Sequence, residues 1–292
     1  MDKYWFVPAF FSAFSLATSD AMMKKAFNGR DEYAIAVLRL FFSALILFAV
    51  FLFIEKPALD ATFYKAFAAT LPLELIALIF YTKALKTSPL SLSLPFLSLS
   101  PVFLIGTSYL IVGESISTNG IFGILLIALG GYFLNISKLA GGIFEPFYAI
   151  GHEKGSIYMI IVAFIYSISA STGKLALQHS SPLFFGSAFA MAMFLLCATT
   201  MPFLCHIRPG ELVSKSALKA SFLPGVFYAL MVIFHMVSLN MTKTAYMISV
   251  KRLSLLIGVL YGYFLFNESC IRERLFAAAL MVAGVTVIAV FQ

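Results

Sequence analysis

"AYMISVKRLSLLIGVLYGYFLF", residues 245–266, is apolar throughout its length apart from two adjacent cations, Lys251 and Arg252, in its first half. If the pair marked the edge of a membrane, the apolar helix beyond it would run from Leu253 to Phe266. That is 14 residues, or about 21 Å at 1.5 Å per residue, against a hydrocarbon core about 30 Å thick. Counting back to Ala245 restores a spanning length and drops both cations inside the bilayer, where insertion costs about 2.5–3.5 kcal/mol each. So costly a placement needs a use, and a polar chamber inside a helical bundle would provide one.

The rest of the chain has the same character. Its 292 residues are 61% hydrophobic and 11% charged, with a mean hydropathy of +0.97, which excludes a soluble globular domain and indicates a polytopic membrane protein. No cleavable signal pattern is read. The net charge of +7 suits short cationic loops against anionic lipid, and no basic run with interleaved aromatics suggests a nucleic-acid partner. Cys197, Cys205 and Cys270 show no CxxC spacing, and the four histidines, His235 among them, are scattered. No metal, cofactor or enzymatic motif is expected.

Windows of about 20 apolar residues mark ten spans, roughly 4–25, 33–54, 66–85, 89–112, 119–137, 156–177, 183–206, 218–240, 244–266 and 272–291. A gapless shift of 154 residues pairs Ala9 with Ala163, Thr18 with Thr172, Ser100 with Ser254, Glu114 and Ser115 with Glu268 and Ser269, and Gly130 with Gly284. The expected fold is therefore an all-α membrane protein of ten transmembrane helices as two inverted five-helix repeats. The divisions are 1–137 and 156–292, joined by a loop at 138–155. Five spans per repeat is an odd number, so the second repeat enters from the opposite face, an arrangement that secondary transporters build around a midplane site.

Under the shift, Lys251 and Arg252 fall on Leu97 and Ser98. The fold itself thus needs no cations there, which favours a specialised site for an anion over mere snorkelling toward an interface. Asp20 and Lys174 also correspond and are candidates to face the same cavity, Lys174 as a substrate ligand; the competing reading pairs Asp20 with Lys24. Ser167, Ser171 and Lys174 form a polar stripe on the sixth span. Arg39 and Glu74, each inside a span, and His235 are candidates for coupling or charge balance with Asp20. Tyr228 and Tyr246 are candidate substrate contacts, with Tyr81 and Tyr261 as further possible cavity walls. Pro89, Pro95 and Pro101 divide the serine-rich fourth span, a place for a gate or a simple kink. Gly123, Gly130 and Gly131 suit close helix contact.

"VGES" at Val112–Ser115, "FNES" at Phe266–Ser269 and "SVKRLSLLIGVLYGYFLFNE" resemble the drug/metabolite transporter superfamily, in particular its EamA-like branch, over essentially the whole chain. The resemblance implies a multi-pass protein of the inner (plasma) membrane. In organophosphate and nucleotide-sugar translocators of that superfamily, a Lys/Arg element in the ninth helix contacts the substrate phosphate, which implies the same for Lys251 and Arg252. The expected function is secondary active transport of a small polar, anionic or phosphorylated metabolite by alternating access, with proton coupling or exchange of a counter-substrate. The alternatives are an amino-acid or related metabolite exporter and, in another class, a lipid-phosphate flippase. Loop charges place the termini outside by the positive-inside rule, whereas the resemblance implies termini in the cytoplasm.

Overall fold

The computed structural model describes residues 4–87, 94–136, 154–266 and 271–291. Most of the 138–155 loop, Pro89, Glu268, Ser269 and Cys270 lie outside them. The elements are α1 (Phe6–Ala26), α2 (Glu32–Phe53), α3 (Ala61–Thr87), a 3-10 segment (Leu94–Leu99), α4 (Ser100–Val112), α5 (Thr118–Ile136), α6 (Lys154–Gln178), α7 (Pro182–Leu204), the short α8 (Pro209–Val213), α9 (Lys215–Met241), α10 (Thr244–Lys251), α11 (Leu253–Phe266) and α12 (Ile271–Phe291).

Six of these, α1, α2, α3, α6, α7 and α9, are long and apolar enough to cross a membrane, and shorter apolar helices cover Phe96–Val112, Thr118–Phe133 and Phe276–Phe291. The expected fourth and ninth spans are both interrupted. The fourth is 3-10 up to Leu99 and becomes α-helical at Ser100, with Pro101 in the first turn, where its missing N–H costs nothing. The ninth differs from the single helix expected over 244–266. It tightens into a turn at Arg252, whose N–H is shared between the carbonyls of Ile248, four residues back, and Ser249, three back, both at 3.1 Å, a mixture of α and 3-10 bonding. Shifted by 154, Arg252 is Ser98, so the two interruptions fall at matching places in the two repeats.

Helix ends follow local chemistry. The Asp31 carboxylate caps α2, accepting from the N–H groups of Tyr33 and Ala34 at 2.9 and 3.0 Å, a bond pattern that satisfies otherwise orphaned donors. Gly113 closes α4 with φ +77°, the left-handed conformation a glycine adopts most easily.

The packing repeats the internal symmetry. α1 packs on α9 while α6 packs on α3, so the first helix of each repeat lies against the third long helix of the other; α5 pairs with α12, and α2 with α7. The α5–α12 seam is reciprocal to the residue. A Cβ on Gly130 would meet the Ala277 carbonyl at 2.7 Å, and one on Gly284 would meet the Gly123 carbonyl at 2.6 Å. Because 284 is 130 shifted by 154 and 123 is 277 shifted back, these are one contact seen twice, as an isologous interface requires. Small residues let the two backbones approach. Gly131 serves a different neighbour, Ser98 of the 3-10 segment.

Apolar side chains cover the outside, with Leu110 81% and Phe203 81% exposed, while Ser12, Ser19, Ser43, Ser100 and Ser108 are fully buried. That is the reverse of a soluble protein and follows from lipid as the solvent: Leu and Phe gain nothing by leaving it, and hydroxyls must find partners inside. Ser12 donates to the Met231 carbonyl at 3.3 Å and Ser19 to the Pro224 carbonyl at 2.9 Å, joining α1 to α9.

Candidate functional site

A cavity of about 250 Å³ lies between the repeats, and its lining includes Asp20, Arg39, Glu74, Tyr81, Tyr166, Ser169, Tyr228, His235, Lys251 and Arg252. Seven of the nine residues singled out in the sequence as candidate ligands or charge carriers are among them. Apolar groups such as Phe185, Phe189, Met193, Leu239 and Ile248 complete the wall.

Arg252 sits where α10 gives way to α11. Its Nε donates to the Ser100 hydroxyl at 3.1 Å, and its Nη2 donates to the same oxygen. Ser100 passes its own proton to the Leu97 carbonyl at 3.0 Å. The cation in one repeat's interruption is thus held by the serine that opens α4 after the other's, and the guanidinium keeps donors for a ligand, having five in all. Lys251 lies 3.1 Å from His235 Nδ1. An ammonium has no acceptor, so this ring nitrogen is the one that accepts. Arg39, buried on α2, donates to Asp20 at 2.9 Å and lies 4.4 Å from the centre of the Tyr228 ring, a cation–π arrangement. Asp20 therefore pairs with Arg39 across to α2. Glu74 accepts a hydrogen bond from Ser169.

Three cations and two carboxylates surround the space, a net charge of one positive with His235 neutral. An interior cavity that brings cations and carboxylates together is where charged side chains within a membrane are tolerated.

Lys174 and Tyr246 lie outside this cavity. The stripe Ser167, Ser171 and Lys174 faces α4 and the neighbouring loops: Ser171 donates to Thr107 at 3.2 Å, and Lys174 stands 3.9 Å from Glu114. It is the neighbouring face of α6, Tyr166, Ser169, Ala170 and Gly173, that lines the cavity. Their spacing of three, four and seven is the signal that would have identified it. Tyr246 is fully buried, stacked on Trp5 at 6.5 Å between centroids and hydrogen-bonded to Ser117 at 3.1 Å. Tyr261 meets Thr18 at 2.7 Å.

An internally two-fold bundle of apolar helices, interrupted at matching points beside a charged central cavity, has the build of a membrane transporter. The model of the EamA-like transporter family matches residues 3–136 and 153–290, one match on each side of the linker. The chain belongs to the EamA-like transporter family, and hence to transporters of the drug/metabolite type; these are not enzymes. Among 29 matching chains of solved structures, one crystal structure, described simply as that of a protein, superposes with a TM-score of 0.75 at 16% identity over 98% of each chain. At that identity the likeness speaks for the fold alone. No curated protein matches this sequence.

Proposed function

We propose that this protein is a secondary active transporter of the inner membrane that moves a small organic anion, a phosphate monoester or a carboxylate, by alternating access. The observation that carries the reading is the Lys251–Arg252 pair at the α10–α11 turn, lining the cavity and absent from the equivalent Leu97–Ser98 position. A guanidinium beside an ammonium presents several charge-assisted donors to one anionic group. Volume narrows the class: about 250 Å³ lies below the roughly 300–1,000 Å³ of sites for drug-sized ligands. This favours a cargo of a few carbons over a nucleotide-sugar or a phospholipid, and so weighs against a flippase.

A second reading is favoured by Asp20 and Glu74, carboxylates in the same chamber. They suit an amino acid, with its carboxylate on Lys251 and Arg252 and its ammonium on Glu74. Uptake into proteoliposomes tests both. Lys251→Ala and Arg252→Ala should each weaken apparent affinity about 10- to 100-fold, the loss of a charged hydrogen bond of about 1.5–3 kcal/mol. Undiminished transport by both variants would rule the anion site out, and competition by phosphate monoesters against amino acids separates the two cargoes.

A further inference from the structure

Lys174 is nearly sealed from solvent, its side chain 8% exposed, and the partners of its ammonium are protein oxygens. It donates to the carbonyls of Leu239 and Thr242, the second at 2.9 Å, and Glu114 Oε1 stands 3.9 Å away. The Leu239 carbonyl belongs to the last turn of α9 and Thr242 is its C-cap. Terminal carbonyls there have no intrahelical N–H and carry the negative end of the helix dipole. The other oxygen of Glu114 accepts from the Thr244 N–H at 2.7 Å. Thr242 and Thr244 also bring buried hydroxyls that make no hydrogen bond.

Helix-terminal carbonyls together with one carboxylate are the donors that transporters present to small monovalent cations, hard ions that prefer oxygen. The cage also lies at a strategic place. Glu114 comes from the first repeat and Lys174, Leu239 and Thr242 from the second, while Leu239 and Gly173 line the central cavity. Nearby, Lys243 donates to the Ser115 carbonyl at 2.5 Å and Tyr246 to or from Ser117, so the two repeats are fastened together around it. The residue equivalent to Lys174 in the first repeat is Asp20, which serves the cavity instead.

We infer that the oxygens of Glu114, Leu239 and Thr242 form a monovalent-cation site at the junction of the repeats, filled in this chain by the tethered ammonium of Lys174 in place of a free alkali ion. The native protein then requires neither Na⁺ nor K⁺ here, and removal of the lysine side chain uncovers a site that takes one of them. This inference rests on the cage geometry and is independent of the cargo.

Purified wild type, Lys174→Ala and the double variant Lys174→Ala/Glu114→Gln can be unfolded thermally in the chlorides of Na⁺, K⁺ and N-methyl-D-glucamine at equal ionic strength. The wild-type midpoint should be the same in all three. Lys174→Ala should unfold several degrees lower in N-methyl-D-glucamine and recover with rising Na⁺ or K⁺, as mass action requires of a bound ion. The double variant, with the carboxylate charge gone, should lose that response. A Lys174→Ala midpoint equally low in every salt marks a purely structural lysine and overturns the proposal. So does a variant that fails to fold with alkali ions supplied, or a wild type that needs them.

Discussion

Asp20 and Lys174 occupy the same position in the two repeats and carry opposite charges, yet their surroundings have little in common. The Asp20 side chain is 44% exposed and shares the central cavity with Arg39, whereas Lys174 is 8% exposed and has its ammonium taken up by protein oxygens. A duplicated fold thus hands one location to the central cavity and its twin to the seam between repeats. What a charge can do is set by whether its hydrogen-bonding capacity is already spent. A charge with water or empty volume beside it remains available to a ligand; one enclosed by carbonyls holds structure together.

The largest expected effects lie at the enclosed position. Glu114→Gln leaves the Lys174 ammonium buried without its counter-charge, and breaking such a pair costs about 3–5 kcal/mol; denaturant unfolding in detergent reads it, while Asp20→Asn should cost less stability, because the Arg39 it leaves unpaired still lines the cavity and lies against the Tyr228 ring. Should the two prove equal, the distinction between cavity-facing and enclosed charges collapses. Transport should invert the ranking. Arg252→Ala is expected to weaken apparent affinity about 10- to 100-fold with little change in unfolding midpoint, as kinetics and melting on one preparation would reveal. A smaller effect is expected at Ser100, which holds Arg252 from the other repeat: Ser100→Ala should raise KM about 5-fold, corresponding to about 1 kcal/mol for a hydrogen bond, and Ser100→Thr should largely restore it.

The smallest effect lies outside the membrane, where Asp60, just before α3, pairs with His179 at 2.7 Å beyond the end of α6. The Phe63 backbone N–H, foremost, and then His179 hold the Asp60 carboxyl below its ordinary value of 3.8. A lowered acid stabilises the folded state at pH above 3.8, and that contribution is lost as the pH falls below it. The gap in midpoint between wild type and Asp60→Asn should be slight at neutral pH, since exposed pairs contribute little, and should vanish under acid. A gap that widens on acidification would contradict this assignment.

Much of this was legible in the amino-acid order because lipid imposes simple rules. Apolar length located the six helices long enough to cross a membrane, a constant shift of 154 residues revealed the duplication, and the 14 residues after Arg252 pointed to two cations beside the central cavity. The helical stripe on α6 misled because Ser167 and Ser171 bond to backbone and to Thr107, and a period of 3.6 says which residues share a face without saying what that face meets. The surroundings of Lys174 were beyond reach for another reason: its partners are main-chain carbonyls 65 and 68 residues away, and a carbonyl has no letter in a sequence. The turn at Arg252 was hidden likewise, since neither glycine nor proline announces it.

The glycine contacts between α5 and α12 fix how closely the two helices lie. With main-chain oxygen facing bare Cα on both sides of that seam, sliding would push Ile127, Met281 or Ile288 into places sized for a hydrogen atom. The pair therefore packs as one tightly registered unit of the fold, and a larger residue at Gly123, Gly130 or Gly284 would force the two backbones apart.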